Sequence, residues 1–467
     1  MKFSRGFAAA RTAATMGCLA ILLASLSATP SFAAGEAKSV ILFIGNGMGP
    51  VALTASRIFK YGEGGKLMMD TMSRTARVKT YSLDGQTPDS ASAMSAYMTG
   101  VRARNETLSM DGKTFAKDPC PTTGNGSAVP TLFESAIAKG KATGVVTTAR
   151  LTYATSAATF AHACNRIAEY DIASQAVPDG EGFNSALGTG LDVLMGGTSR
   201  FWRPIKITDK GRTDGRDLVV ELQAKGYSYV YDLTSMSKEA PSGKIIGLFD
   251  QADTDAKGKV KWVQEHMSYE YDRDPLKEPS LSQMTSKAID ALARNTKGYF
   301  LVIEGGRIEH ALSSGNAKRA LAEVIAFDDA VRMALAKVDL SSTLIVVTAN
   351  HDHTMALNGS SHLGNDILAK STDIKSKKLA LAADGLPYTS LVFGNGNSPR
   401  KASRVDLTKI DTSGDWNYLQ EAGVELTSSS RGGGDVNLFA SGAGSSAFKG
   451  TLDHTKVFAL MKTALGF

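Results

Sequence analysis

The chain has 467 residues, 43% of them hydrophobic and 21% charged. That is a globular balance, with apolar material for a large core: one large α/β domain with insertions, or two domains. Lys and Arg number 52 and Asp and Glu 46, a formal net charge of +6, a surplus too weak to argue for nucleic acid.

The first stretch stands apart from the fold. Lys2, Arg5 and Arg11 are its only charges, an apolar run follows over residues 16–26, and "ATPSFAA" closes it. This reads as a secretory signal over residues 1–33, cut near Ala33 or Ala34. The run is short for a membrane anchor and ends in Pro and small residues. No Arg-Arg pair supports a twin-arginine route. No second long apolar segment occurs, so the remainder is expected to be exported, periplasmic or extracellular, with no membrane span. The signal removes three basic residues and no acidic ones, leaving 49 against 46 and a net charge of +3. Cys18 leaves with it. Cys120 and Cys164 remain, and two cysteines in an oxidising compartment predict one disulfide, with two buried thiols as the alternative.

Six short apolar runs read as buried parallel strands: residues 39–45, 144–149, 192–197, 299–305, 344–349 and 436–442. Amphipathic helices lie between them. Residues 280–295 open with a capping box, Ser280 with Gln283, and carry Leu281, Met284, Ala288 and Leu292 on one face. Residues 317–338 follow the same pattern. Strands alternating with helices predict a doubly wound α/β fold with a central, mostly parallel sheet. Residues from about 200 to 278 are more polar and irregular and read as a surface insertion in the domain spanning 34–467. Residues 355–430 are loop-rich.

Polar residues gather just after four of these strands. Asn46 follows the first. Thr152, Tyr153 and Thr155 follow the second. Glu304, Arg307, Glu309 and His310 accompany the run at 299–305, and Asn350, His351, Asp352 and His353 follow the run at 344–349. Ligands of open parallel sheets bind at the carboxyl ends of the strands, so these clusters converge on one edge.

In "TPDSASAMSAYMTG", residues 87–100, Asp89-Ser90 precedes small residues at the start of a helix. There free N–H groups and the helix dipole favour negative charge. An ordinary N-cap explains the same residues. Arg166 can grip two oxygens of one phosphate, though most arginines are surface charges. His162 sits among apolar residues and reads as a packed histidine, not a ligand.

Taken together, "ILFIGNGMG", "PDSASAMSAYMTGVRARN", "ATGVVTTARLTYATSAATFAHACNR", "YFLVIEGGRIEHA", "VVTANHDH" and "GGGDVNLFASG" resemble the alkaline phosphatase family in order and spacing, from about residue 38 onward. The resemblance implies an exported, dimeric enzyme that removes phosphate from monoesters at alkaline pH. It works through a phosphoserine, with two zinc ions and one magnesium ion in the site. By position, Ser90 is the nucleophile and Arg166 clamps the phosphoryl oxygens. Thr155 and Glu304 match magnesium ligands, and His351 matches the histidine on the zinc beside the serine. His310 and Arg431 are read with Arg166 as substrate contacts.

The departures concentrate at the metals. The family turn is Gly-Asp-Gly-Met-Gly, and its aspartate bridges the serine-side zinc and the magnesium. Here it is Asn46. The family's "TADH" is here Asn350-His351. An amide oxygen can bind a metal without supplying charge, so zinc affinity falls and Mg²⁺ or Ca²⁺ gains relative to it. At the second zinc the family has an aspartate and two histidines. This chain has Glu309, Ser313 and Arg431, and a guanidinium cannot ligate. The expected metal set is therefore Asn46, Thr155, Glu304, Glu309, Asn350 and His351, holding zinc and magnesium or fewer ions. The expected activity is phosphomonoester hydrolysis. The alternatives are a relative that only binds phosphate or phosphoesters, and a phosphotransferase.

Overall fold

The structure, a computed structural model, describes residues 37–467 except 122, 207–209, 241–242, 250–251, 255–259, 264 and 399–403. The signal expected over residues 1–33 lies outside the described residues. Among the described residues, no helix is long and apolar enough to cross a membrane.

One ten-stranded sheet forms the centre. In chain order its strands are β1 (Ser39–Gly45), β2 (Arg74–Lys79), β3 (Ala142–Arg150), β4 (Val193–Gly197), β5 (Tyr227–Val230), β6 (Lys244–Phe249), β7 (Tyr299–Gly305), β8 (Thr343–Ala349), β9 (Val436–Gly442) and β10 (Gly450–Asp453). Their spatial order is β10-β2-β9-β8-β1-β7-β3-β4-β6-β5. All six predicted apolar runs are strands of this sheet. β1, β7 and β8 are buried along their whole length, as continuous apolar runs require when both faces are covered.

Two expectations change. β9 runs antiparallel to both β8 and β2, so the run at 436–442 is a core strand but not a parallel one. An apolar run carries no direction; the preceding connection sets it. The stretch from 200 to 278, expected as a surface insertion, also supplies β5 and β6, which complete one edge of the sheet in parallel with β4. Residues 355–430 contain a separate three-stranded sheet of Met355–Leu357, Leu391–Gly396 and Ala422–Glu425.

Helices cover both faces. Val40 pairs with Phe300 across β1 and β7, so these two share a face. Phe43 lies three residues along and faces the other way, because side chains alternate on a strand. Phe43 packs edge-on against Phe327 of the Ala317–Lys337 helix, centroids 5.7 Å apart. Phe300 packs edge-on against Phe133 of the Leu132–Ala138 helix at 5.4 Å. All four rings are fully buried, each contributing about 2 kcal/mol by leaving water. The predicted helices form as Leu281–Leu292, with the Ser280–Gln283 capping box present, and Ala317–Lys337.

The register aligns the strand ends. Gly45 pairs with both Gly305 and Ala349, and Glu304 with Thr147. The carboxyl ends of β8, β1, β7 and β3 therefore lie side by side, where ligand sites of such sheets form.

Candidate active site

β1 ends at Gly45, and the chain turns at once. Asn46 N–H bonds to Gly305 O, and Gly47 takes φ +73°, a left-handed conformation that suits glycine. The tight turn leaves the Asn46 side chain buried between strand ends. Ser90 is the first residue of the Ser90–Thr99 helix. Asp89 caps that helix, accepting the Ser92 N–H at 2.8 Å. The N-cap reading of Asp89 holds, and Ser90 sits at the positive end of the helix dipole.

Around Ser90 the two asparagines form a directed network. Asn350 Oδ1 accepts backbone N–H groups from Gly47 at 3.0 Å and from His351 at 2.9 Å. A backbone N–H can only donate, so the oxygen of this amide is assigned from both sides. Asn350 Nδ2 then faces Asn46 Oδ1 at 2.7 Å, which orients the second amide. Asn46 Nδ2 in turn donates to Glu304 Oε1 at 2.9 Å and approaches Thr155 Oγ1 at 3.3 Å. Glu304 Oε2 accepts from Thr147 Oγ1 at 2.6 Å. Burial pushes the Glu304 carboxyl up to about 7, with hydrogen bonds from Thr147, Thr155 and Asn46 pulling the other way.

The Ser90 hydroxyl meets three acceptors. Asn46 Oδ1 is 3.3 Å from Oγ, Glu309 Oε2 3.4 Å and His351 Nε2 3.2 Å. His351 Nδ1 lies 2.8 Å from the Asp352 carbonyl oxygen. A carbonyl can only accept, so Nδ1 carries the proton and, in the neutral ring, Nε2 presents its lone pair to Ser90. Glu309 is the hub of the other side. It accepts Arg431 Nε at 2.9 Å and the Tyr153 hydroxyl at 3.2 Å, and its Oε1 is 3.6 Å from His351 Nε2. Burial would raise its pKa, but His351, Arg431 and Arg166 outweigh this and hold it well below the usual carboxylate range. Arg166 gives Nη1 to Asp89 Oδ2 at 2.9 Å, and its guanidinium lies 4.9 Å from the centre of the Tyr153 ring.

The structure thus brings Asn46, Ser90, Thr155, Glu304, Glu309, Asn350, His351 and Arg431 into one connected cluster, with Arg166 reaching it through Asp89 and Tyr153. His310 reaches it only indirectly. Its ring packs against His266 at 4.0 Å and edge-on to Tyr153 at 5.3 Å, and its Nδ1 accepts from Arg307. Burial and Arg307 push its pKa down to about 3, so the ring is neutral. Ser313 pairs with His353 at 3.4 Å, away from Ser90. Thr152 bonds to Glu169. His162 bonds to Glu134 and the Ser109 carbonyl, in keeping with a packed histidine. Cys120 and Cys164 form a disulfide two residues before Arg166. Three contributors escaped the sequence reading: Thr147 as partner of Glu304, Tyr153 as donor to Glu309, and Asp89 as partner of Arg166. Tyr153 and Asp89 were visible by position but not in these roles, and Thr147 left a signal as a polar residue inside an apolar strand.

Zinc and magnesium were expected here, and the donor set does not fit them. A cation needs oxygen lone pairs turned toward one point. Both Glu304 oxygens, Asn46 Oδ1, Asn350 Oδ1 and Thr155 Oγ1 already face protein hydrogens. An amide N–H points between Glu304 and Thr155. At the position expected for a second zinc the guanidinium of Arg431 is paired with Glu309. Among the described residues, no group of three or more His, Cys, Asp or Glu side chains is arranged to hold a metal.

Comparison with known proteins identifies the relatives of this site. The sequence model of the alkaline phosphatase family matches residues 37–467. The mouse tissue-nonspecific alkaline phosphatase is 33% identical over 437 residues, 87% of this chain and 79% of its own. The alkaline phosphatase of Gadus morhua is 32% identical over 440 residues, 87% of each chain. Among solved structures, the Thermus thermophilus alkaline phosphatase superposes with a TM-score of 0.67 at 22% identity, covering 92% of each chain. The enzyme of the Antarctic bacterium TAB5 gives 0.65 at 22% identity over 92% of this chain and 99% of its own. A variant of the TAB5 enzyme has magnesium bound in its M3 site; it gives 0.64 at 22%, over 93% and 99%.

Proposed function

The chain belongs to the alkaline phosphatase family, and from that premise we propose that it hydrolyses phosphate monoesters through a phosphoserine on Ser90. The observation that carries this reading is the Ser90–His351 contact. Oγ is 3.2 Å from a ring nitrogen whose tautomer is held by the Asp352 carbonyl. A hydroxyl is a weak nucleophile until a base takes its proton, and this is the geometry of a nucleophile with its base and an orienting third group.

The charged groups support the rest. A phosphoryl group in transfer spreads charge over its oxygens, and positioned cations stabilise it. Arg166 uses Nη1 on Asp89 and keeps its other N–H groups for those oxygens. Arg431 uses Nε on Glu309 and keeps both Nη groups. The carboxylate of Glu309, 3.6 Å from His351 Nε2, supports the imidazolium that forms when Ser90 gives up its proton. Ser90 itself has no exposed surface, whereas Tyr153 and Arg431 are partly exposed. A substrate reaches Oγ as those two side chains yield. No step is assigned to a zinc or magnesium ion, since the donor set does not fit one.

Export to the periplasm or exterior, the domain spanning 34–467 and assembly as a homodimer are carried as part of the same proposal. They rest on the sequence of residues 1–34 and on the family. A second reading is favoured by one contact. The Arg431–Glu309 ion pair fills the position expected for the family's second zinc, which suits a protein that binds phosphate without turning it over.

Phosphate release from p-nitrophenyl phosphate at alkaline pH, with Ser90→Ala alongside, separates the two. Turnover by the parent and none by the variant supports the phosphoserine route. No turnover by either, with phosphate binding retained, supports the binding protein.

A further inference from the structure

We infer that this site transfers a phosphoryl group to Ser90 without a divalent metal, because the Asn46–Asn350 amide pair and Arg431 stand in the places of the cations. The inference rests on the proposed phosphoserine route and adds what drives it.

A metal in the family's magnesium position would sit between Glu304, Thr155 and residue 46 and would draw lone pairs from all three. Here Asn46 Nδ2 does that work, donating to Glu304 Oε1 at 2.9 Å and approaching Thr155 Oγ1 at 3.3 Å. Turning the amide over to offer Oδ1 to a metal is opposed by its neighbour. Asn350 Nδ2 donates to Asn46 Oδ1, and Asn350 cannot turn because Gly47 and His351 hold its oxygen with backbone N–H groups. Two backbone groups therefore dictate, through two amides, that an N–H faces Glu304. An aspartate at position 46 could not make this bond, having no hydrogen to donate when ionised. The paired change from carboxylate to amide is what a cation-free network needs, since adjacent carboxylates without a metal would repel.

On the other side Arg431 supplies fixed positive charge. Its pairing with Glu309, at 3% side-chain exposure against 31% for the arginine, leaves the cation facing the entrance. The serine-activating role passes to His351, whose Nε2 faces Ser90 and carries the lone pair when the ring is neutral. The Ser90 Oγ–H proton moves to His351 Nε2 as the Oγ–P bond forms. The bond from phosphorus to the ester oxygen breaks, and that oxygen leaves with the electron pair, beside Arg431. His351 is here a catalytic residue; Asn46 and Asn350 are positioning residues.

The test uses the purified exported chain dialysed against chelator, with metal content measured by mass spectrometry. Zinc and magnesium are titrated into it by calorimetry. p-Nitrophenyl phosphate is then added with and without chelator, and phosphorylation of Ser90 is followed by peptide mass. The expected result is no stoichiometric binding of either ion, and phosphoserine forming at the same rate under both conditions. His351→Gln should slow its formation by about 10²-fold or more, the usual share of a general base. Asn46→Asp combined with Asn350→Asp should bind metal that the parent does not.

Stoichiometric zinc or magnesium binding by the parent overturns the inference even if that double variant fails to fold. Phosphoserine that forms only with added metal also overturns it, while leaving the phosphoserine route intact. If no phosphoserine forms under any condition, the proposed function and this inference both fall.

Discussion

Arg431 donates from Nε to Glu309 Oε1 at 2.9 Å, joining a partly exposed cation to a buried carboxylate. The pair has a structural and a chemical consequence. Glu309 also accepts from Tyr153 and lies within reach of Ser90 and His351. Removing the guanidinium leaves a buried charge with weaker compensation, which is the costly way to break an ion pair. Arg431→Ala is expected to lower stability by about 2 kcal/mol, below the full buried-pair cost because the arginine is partly solvated. It should also raise KM for p-nitrophenyl phosphate. Urea unfolding and steady-state kinetics measure the two effects. An unchanged stability would mean that Glu309 is neutralised by other groups.

On the proposed phosphoserine route, the same contact predicts an imbalance between the two halves of the reaction. Forming phosphoserine needs a base beside Oγ, and His351 is there. Cleaving it by an in-line route needs a nucleophile on the opposite side of phosphorus, next to Arg431. An arginine cannot ionise a water. The Tyr153 hydroxyl is no base either, since burial and Glu309 push its pKa up to about 12. Release of the phosphoryl group is then left to hydroxide, which gives phosphate, or to an incoming alcohol, which gives a new ester. Rapid mixing with p-nitrophenyl phosphate should show a burst of p-nitrophenolate equal to the enzyme, followed by a slower steady rate that rises with pH. Adding glycerol should raise p-nitrophenolate release more than phosphate release. A linear time course from the first turnover would count against this account.

How much of this was legible before the structure depends on what each feature rests on. β1, β7 and β8 were readable because a strand buried on both faces must be apolar throughout. The direction of β9 was not, since "VNLFASG" reads the same either way up the sheet. β5, at Tyr227–Val230, is short and flanked by polar residues, so no periodicity revealed it. At the site, the residues after four strands were readable from position alone, but their roles came from family resemblance. The orientation of Asn46 was out of reach, because it is set by the Gly47 and His351 backbone through Asn350. Asp89 was readable as a cap and not as the partner of Arg166, a contact that depends on how residues 157–166 return to the helix.

The Cys120–Cys164 disulfide ties that returning segment down. Its sequence separation is 44, and Cys164 lies two residues before Arg166. Ala163 exchanges backbone hydrogen bonds with Leu108, and the Arg166 N–H bonds to Glu106 O. A closed loop of this length removes about 4 kcal/mol of chain entropy from the unfolded state. Cys120→Ser with Cys164→Ser should therefore lower stability by up to that amount. It should also weaken substrate binding more than kcat, because Arg166 loses its anchor. Intact mass of the native chain should be two hydrogens below that of the reduced chain. An equal mass would remove the disulfide in solution.

His162 and Glu134 form an ion pair remote from Ser90, with Nε2 and Oε1 2.7 Å apart and both side chains mostly buried. Nδ1 lies 2.9 Å from the Ser109 carbonyl oxygen, so both ring nitrogens face acceptors and the protonated ring satisfies both. Burial alone would lower the His162 pKa, but the hydrogen bond and charge of Glu134 outweigh it and hold it above its ordinary 6.5. Glu134 is held below 4.5: burial would raise it, and His162, Asn184 and the Thr131 N–H together prevail. The raised histidine contributes stability that is complete below 6.5 and is lost as pH rises through the folded value. The lowered carboxyl contributes stability that is complete above 4.5 and is lost as pH falls through its folded value. Both are present in full only between those limits. His162→Gln keeps a hydrogen bond and loses the charge. It should cost about 2 kcal/mol near pH 5.5 and progressively less as pH rises through the folded value, where the parent ring loses its charge as well. Urea unfolding of both chains across this range measures the difference. A gap of constant size would show that the ring does not change its charge across this range, against the titration expected of it.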